Sequence, residues 1–368
     1  MKLSRIAQLG AVAAVAALTL TACASNEQTP GATTAPEDTT TTLSGQLVGQ
    51  GASSQQVAVQ AWTAAFLAAN PDAQVDYDPA GSGTGRESFQ QGAVNFAGSD
   101  RAFKIDAISA GGFGACADGS GIVEIPAYIS PIAIIFNVPG VDALDLDAAT
   151  VAGIFAGTIT NWNDPAIAAT NDGVKLPDLA INPVHRSDKS GTTGNFTDYL
   201  AANAPDVWTW DSVEEWPAGV VGEAAEKTSG VVNAVKAGEG SVGYADSSQA
   251  GGISSVNIKV GEEFVGHSAE GAAATLDASA IEEGRTEGDL AFEIDRTTTE
   301  AGTYPLLLVS YLIGCEQYED ADIAALTKAF FTTAVSEEGQ QSAADNAGSA
   351  PISDDLRTQA LAAIELIK

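Results

Sequence analysis

The sequence predicts an α/β protein. From Leu43 onward, short apolar strand-like runs alternate with amphipathic helix-like stretches, the signature of strands and helices taking turns along one chain. Clusters of Gly and Ser close the strand-like runs just ahead of the helical ones, which is where open α/β sheets bind ligands. Apolar residues make up 45% of the chain and charged residues 17%, a balance that builds a core and excludes a disordered polymer.

The chain begins with a processing signal. Lys2 and Arg5 form a basic n-region, residues 10–20 are a small-apolar run, and Leu20-Thr21-Ala22 stands directly before Cys23. The run is too short to span a bilayer and has the length of a signal-peptide h-region. A cysteine at the new N-terminus accepts lipid. Residues 1–22 are therefore expected to be removed, with Cys23 lipidated and the protein anchored on the extracytoplasmic face of the cell membrane. Residues 24–42 are rich in Thr, Ala, Pro and Ser without apolar periodicity and read as a flexible stalk.

The body follows in order. Residues 46–48 read as a strand and 55–69 as a helix, with Val59, Trp62, Ala65, Phe66 and Ala69 near one face. Residues 75–77 and 93–97 read as further strands, and the apolar block 125–138 as a long one. No internal repeat is visible, and no later stretch is long and apolar enough to cross a membrane.

Charge is lopsided, with 16 basic against 48 acidic residues and a formal net charge of −32. Nucleic acid is excluded as a partner of the bulk surface, and the membrane is reached only through the lipid on Cys23. An anionic ligand would have to be held by local dipoles and hydrogen bonds. Of the three cysteines, Cys116 and Cys315 remain once Cys23 carries lipid. In an oxidising compartment such a pair is expected to be bridged.

Four turns carry the candidate chemistry: Gly49-Gln50-Gly51-Ala52-Ser53-Ser54, Gly81-Ser82-Gly83-Thr84-Gly85, Gly98-Ser99-Asp100-Arg101, and Arg186-Ser187-Asp188-Lys189-Ser190-Gly191-Thr192-Thr193. Each sets hydroxyls and free backbone N–H groups at an expected helix N-terminus, where the amides point outward and the dipole favours negative charge. One such turn is an ordinary N-cap. Four, two of them carrying an Asp and an Arg, indicate a shared anion site.

Other chemistries lack their residues. The G-x-x-x-x-G-K-[ST] loop of nucleotide binders is absent. The two histidines, His185 and His267, have no zinc-ligand spacing, so neither a metal nor a cofactor is expected. Lys189-Ser190-Gly191 matches the K-[ST]-G triplet of penicillin-recognising enzymes, but no serine is followed by lysine three residues on. No G-x-S-x-G elbow supports a serine triad, so an enzyme is not expected. Trp208, Trp210 and Trp216 are read as packing rather than a sugar platform.

At the four turns the sequence resembles the phosphate-binding proteins of the phosphate-specific ABC importer. The likeness runs from Leu43 to the C-terminus. It includes Ile154-Phe155-Ala156-Gly157, Trp162-Asn163-Asp164-Pro165, Ile125-Pro126, Pro131-Ile132, Tyr304-Pro305 and Gly348-Ser349-Ala350-Pro351. The resemblance implies a two-lobe, type II periplasmic-binding-protein fold with two crossovers, closing like a hinged trap. Lobe I would comprise 43–126 and 296–368, lobe II 127–295, which puts Cys116 and Cys315 in one lobe. It also implies a monomer that binds inorganic phosphate and delivers it to a permease and ATPase.

The family's ligand positions correspond to Ser53, Ser54 (through its main chain), Ser82, Asp100, Arg186, Ser190, Gly191 and Thr192, with Asp188 orienting Arg186. Donors dominate that set, and Asp100 alone, when ionised, only accepts. Orthophosphate keeps a proton near neutral pH and sulfate does not, so one acceptor favours phosphate. The alternatives are a binder of sulfate or molybdate, a phosphate-ester hydrolase using the same cradle, and a sensory or adhesive protein that keeps the trap.

Overall fold

A computed structural model describes residues 42–368. The expected signal peptide, Cys23 and the expected stalk as far as residue 41 lie outside the described residues. The chain runs β1 (Ser44–Gly51), α1 (Gln56–Ala69), β2 (Asp72–Asp78), α2 (Ser82–Gln90), β3 (Phe96–Ser99), α3 (Ile105–Ala110) and β4 (Ile122–Phe136). It continues through β5 (Ala143–Leu146), α4 (Ala148–Phe155), α5 (Pro165–Ala168), β6 (Asn182–Arg186), α6 (Gly191–Asn203), β7 (Glu223–Ala225), α7 (Lys227–Ala237) and β8 (Ser241–Asp246). Then come β9 (Ser254–Val260), β10 (Glu263–Val265), α8 (Ala269–Asp277), β11 (Ala280–Ile281), β12 (Phe292–Glu293) and β13 (Leu307–Cys315). Three helices close the chain: α9 (Ala321–Val335), α10 (Glu337–Ala347) and α11 (Asp354–Ile364).

The architecture is a two-lobe α/β fold in which one long strand serves two half-sheets. The hydrogen-bonded order is β2-β1-β3-β13-β4-β8-β6-β7, with β9 joining β4 to β5 and β10. β4 pairs with β13 from Ile122 to Pro131 and with β8 from Ile132 to Phe136, so it changes neighbours between Pro131 and Ile132. β1, β2 and β3 are mutually parallel, and β6 is parallel to β7 and β8. β13 runs against both β3 and β4. Parallel strands need crossover connections, and the helices supply them.

Burial explains why the long apolar block forms a strand. All fifteen residues of β4 and all nine of β13 are buried, and a strand covered on both faces reads as a continuous apolar run. α1 is Ala-rich, without Gly or Pro, and stops at Asn70-Pro71, where the residue before proline is pushed out of the helical region. Its buried face is Ala58, Val59, Trp62 and Phe66. Ala65 and Ala69, expected on that face, are exposed; Trp62 fixes the rotation by donating its indole N–H to Gly339 O at 3.0 Å. β3 starts at Phe96, later than the apolar pattern from residue 93, because the Asn95 side chain accepts from Val48 N at 2.8 Å in place of a ladder carbonyl.

Cys116 and Cys315 are disulfide-bonded, with Cα atoms 5.3 Å apart across 199 positions of sequence. Among the described residues, no helix is long and apolar enough to cross a membrane.

Candidate functional site

Topology gathers the four turns. Because β1, β2 and β3 are parallel, their C-terminal ends share one edge of the first half-sheet, carrying Ser53 and Ser54, Ser82, and Asp100. β6 ends at Arg186 in the second half-sheet and leads into α6, whose first residues are Gly191 and Thr192. Ser53, Ser54, Ser82, Asp100, Arg186, Ser190 and Thr192 are each no more than 3% exposed. Polar groups buried to that degree require partners.

Asp100 sits at the centre. Its Oδ1 accepts from Ser54 Oγ at 2.6 Å and its Oδ2 from Thr192 Oγ1 at 3.0 Å, one hydroxyl from each half-sheet. Its own N–H donates to Ser82 Oγ at 3.1 Å. Burial pushes the carboxyl above the ordinary aspartate value, while hydrogen bonding by Ser54, Ser310 and Thr192 and the nearby Arg186 charge pull it down. Ser310, on β13, is fully buried, and its Oγ has no partner in hydrogen-bonding geometry. Ser54 was expected to contribute only its main chain; its hydroxyl is also engaged, on Asp100.

The remaining hydroxyls each accept a backbone amide, and Ser53 Oγ also lies 3.0 Å from Thr228 Oγ1, where either hydroxyl can donate. Ser53 Oγ accepts from Thr228 N at 3.1 Å, Ser82 Oγ from Asp100 N, and Ser190 Oγ from Thr193 N at 3.1 Å as the N-cap of α6. A hydroxyl that accepts from a backbone amide keeps its O–H to donate elsewhere. The amides of Gly191 and Thr192 stand in the first turn of α6, where no intrahelical acceptor exists.

Arg186 is held as a fork. Its Nε donates to Asp188 Oδ1 at 2.8 Å, and its Nη2 pairs with Asp188 Oδ2. Nη1 reaches Thr228 Oγ1 at 3.5 Å. Burial alone would raise the Asp188 carboxyl, but the hydrogen bonds and charge of Arg186 and the Lys227 amide hold it below the usual range. Lys227 donates that amide at 2.9 Å from a φ of 65°, a left-handed backbone that non-glycine residues rarely adopt.

Close approach dictates the glycine at 191. A Cβ there would stand 2.5 Å from Ser82 Oγ and 2.7 Å from Asp100 Cβ. The turns of the two half-sheets are thus in direct contact.

Sequence reasoning missed Thr228, Asn195 and Tyr244. Thr228 is the second residue of α7, within Thr228-Ser229-Gly230, a fifth turn of the same hydroxyl–glycine kind, so its signal was present. Tyr244 accepts from Arg186 N at 3.3 Å and shares a hydrogen bond with Thr193 Oγ1 at 2.7 Å; a strand tyrosine carries no such signal. Arg101, in the third turn, points away and donates to Ser212 Oγ at 2.7 Å. The tryptophans are packing: Trp208 is buried against Trp210 and Trp216, and Trp216 stacks on His185 at 4.8 Å.

Two lobes with a polar, donor-rich contact between them define a solute-binding architecture, and residues 36–338 match the PBP superfamily domain. Phosphate-binding protein PstS 3 of Mycobacterium tuberculosis is 33% identical over 100% of both chains, and PstS 2 of the same organism is 32% identical over 100% of both. The chain belongs to this family of PstS phosphate-binding proteins within the PBP superfamily. A periplasmic phosphate-binding protein solved with phosphate (PfluDING) superposes with a TM-score of 0.68 at 21% identity, covering 86% of this chain and 93% of that one. At that identity the likeness is one of fold.

Proposed function

We propose that this chain is a solute-binding protein that captures inorganic phosphate between its two lobes and delivers it to an ABC importer, making and breaking no bond. Asp100 carries the reading, as a single acceptor set among donors. Each of its oxygens accepts one hydroxyl, from Ser54 and Thr192, and a carboxylate has about four acceptor sites, so capacity remains for a proton on the ligand. Protonated phosphate supplies one. Sulfate does not, and meets a like charge with nothing to share.

The hydroxyls of Ser53, Ser82 and Ser190, the amides of Gly191 and Thr192, and the free N–H groups of Arg186 supply donors for the other oxygens. Arg186 acts as a charge-assisted fork whose angle Asp188 fixes. These donors act at contact distance, while the acidic exterior is screened over a Debye length of about 8 Å at physiological salt.

The lobes in this reading are 43–126 with 296–368, and 127–295, with the β4 partner exchange at Pro131/Ile132 a few residues past the first border. Ligand contacts made by both lobes at once shift the open–closed equilibrium towards closure. The lipid on Cys23 would hold the protein at the extracytoplasmic face. Release of a Cys23→Ser variant from the membrane fraction supports that anchor, and its retention removes it.

Thermal-shift titrations with phosphate, arsenate, sulfate and molybdate test the ligand. Phosphate and arsenate should stabilise the protein well below the concentrations at which sulfate acts. Dominant stabilisation by sulfate or molybdate overturns the reading.

A further inference from the structure

Beyond the cradle, a buried guanidinium ties the two lobes together without reaching the ligand positions. Arg296 lies between β12 and β13 and is 5% exposed. Its Nη1 donates to the carbonyls of Pro305 at 3.0 Å and Leu307 at 2.7 Å, where β13 begins. Its Nε donates to Asp198 Oδ2 at 3.2 Å and its Nη2 to Asn195 Oδ1. Asn195 and Asp198 belong to α6 in the second half-sheet, and β13 belongs to the first.

Chemistry fixes which way the Asn195 amide faces. A guanidinium has donors only, so the atom beside Arg296 must be the carbonyl oxygen and the NH₂ must point the other way. That NH₂ donates to Asp100 O at 2.8 Å and to Gly191 O at 3.0 Å. Asn195 is 2% exposed, and it therefore joins the main chain of the ligand-checking aspartate to the first residue of the helix that faces it. Arg296 holds Asn195 in the one orientation that can do this.

We propose that Arg296 and Asn195 form a closure latch: two positioning residues that fix the Asp100 main chain to the second lobe in the closed form, and so slow ligand release. The kinetic part of the inference rests on the phosphate reading; the conformational part does not. When the lobes separate, Asp100 O leaves Asn195 and regains water, so the bond counts only in the closed state. Loss of the latch therefore raises the phosphate dissociation rate and leaves association nearly unchanged. Exposed pairs such as Lys189–Glu87, with side chains 37% and 54% accessible, also bridge the half-sheets but contribute little in water.

The test uses the purified full chain with Asn195→Ala and Asn195→Asp. The second variant keeps a partner for Arg296 while removing the NH₂, so it separates latch from folding. Leaving a buried carbonyl unpaired predicts phosphate dissociation faster by on the order of tenfold in stopped flow. Association should stay within about twofold, and Asn195→Asp should lower the melting temperature of the phosphate-bound protein by more than that of the unliganded one, which loses only the Gly191 bond within α6.

Unchanged dissociation in both variants overturns the latch. So does a dissociation change matched by destabilisation of the unliganded Asn195→Asp protein. Absence of phosphate binding by the unmodified chain defeats the phosphate reading instead, and small-angle scattering then decides the latch. A more extended Asn195→Asp protein upholds it, and superimposable curves overturn it.

Discussion

Thr192 and Asp100 meet across the boundary between the two half-sheets: Thr192 Oγ1 donates to Asp100 Oδ2 at 3.0 Å, over 92 positions of sequence. Ser54 donates to the other carboxylate oxygen from the same side as Asp100. The carboxylate is thus oriented by one hydroxyl from its own lobe and one from the facing lobe, and its final geometry exists only when the lobes are together. In the proposed reading, recognition and closure are therefore one event at this residue.

Asp100→Asn tests that arrangement. The amide keeps one acceptor oxygen and replaces the other with a donor, aimed at a hydroxyl that must then rotate away. A site built around a ligand hydroxyl rejects the analogue lacking it by on the order of 10⁴–10⁵. In calorimetric titrations the preference for phosphate over sulfate should fall by at least about tenfold in the variant, chiefly because sulfate binding improves. An unchanged ratio would place discrimination elsewhere in the cradle.

Gly191→Ala separates closure from folding. The added Cβ meets Ser82 Oγ at 2.5 Å and Asp100 Cβ at 2.7 Å, both on the facing lobe. The clash is absent whenever the lobes are apart, so the unliganded melting temperature should stay within about 2 °C. Phosphate affinity should drop on the order of 100-fold, because overpacking a tight contact costs about 1–3 kcal/mol. A matching loss of unliganded stability would mean that the contact is structural.

What could be read from the sequence follows from range. Ser53, Ser82, Asp100, Arg186 and Thr192 each sit in a local hydroxyl–glycine or charge-bearing turn, and local turn chemistry is written in adjacent residues. Asn195 and Arg296 carry no local mark: one is a mid-helix polar residue, the other a lone cation in a linker, and their roles appear only when α6, β3 and β13 meet. The partner exchange in β4 is hidden for the same reason, since residues 125–136 read as one largely apolar run whichever strands flank it. Ser54 shows a further limit. Its position in the turn was legible, but not that its hydroxyl would satisfy Asp100.

The disulfide tests stability rather than recognition. Cys116 and Cys315 are 8% and 0% exposed and close a loop of 199 positions, so reduction releases a large restriction on the unfolded chain. A paired Cys116→Ser/Cys315→Ser variant should lose about 2–5 kcal/mol in urea unfolding. Phosphate affinity should stay within about twofold, since neither residue touches the cradle. A large affinity loss would tie the bridge to the site.

Asp246 gives the fold a pH dependence whose sign can be worked out. It ends β8 opposite Ile132, where β4 changes partners. Its Oδ1 accepts from Tyr128 Oη at 3.0 Å and Ser248 N at 3.0 Å, while Oδ2 is buried without a partner. Burial pushes its carboxyl from 3.8 up to about 6, against the hydrogen bonds of Ser248, Ser130 and Tyr128. Below pH 3.8 the group is protonated in both folded and unfolded chains. Between about pH 4 and 6 the folded state holds the proton that the unfolded chain releases, so this contribution to stability falls as pH rises, and above 6 the loss is complete. Asp246→Asn keeps an oxygen for Tyr128 and Ser248 but cannot ionise. In urea unfolding, its stability relative to the unmodified chain should therefore rise by on the order of 2–3 kcal/mol from pH 4 to pH 8. Most of that rise should fall between pH 4 and 6. Parallel profiles for the two proteins across this range would mean that the Asp246 carboxyl ionises as an ordinary aspartate does.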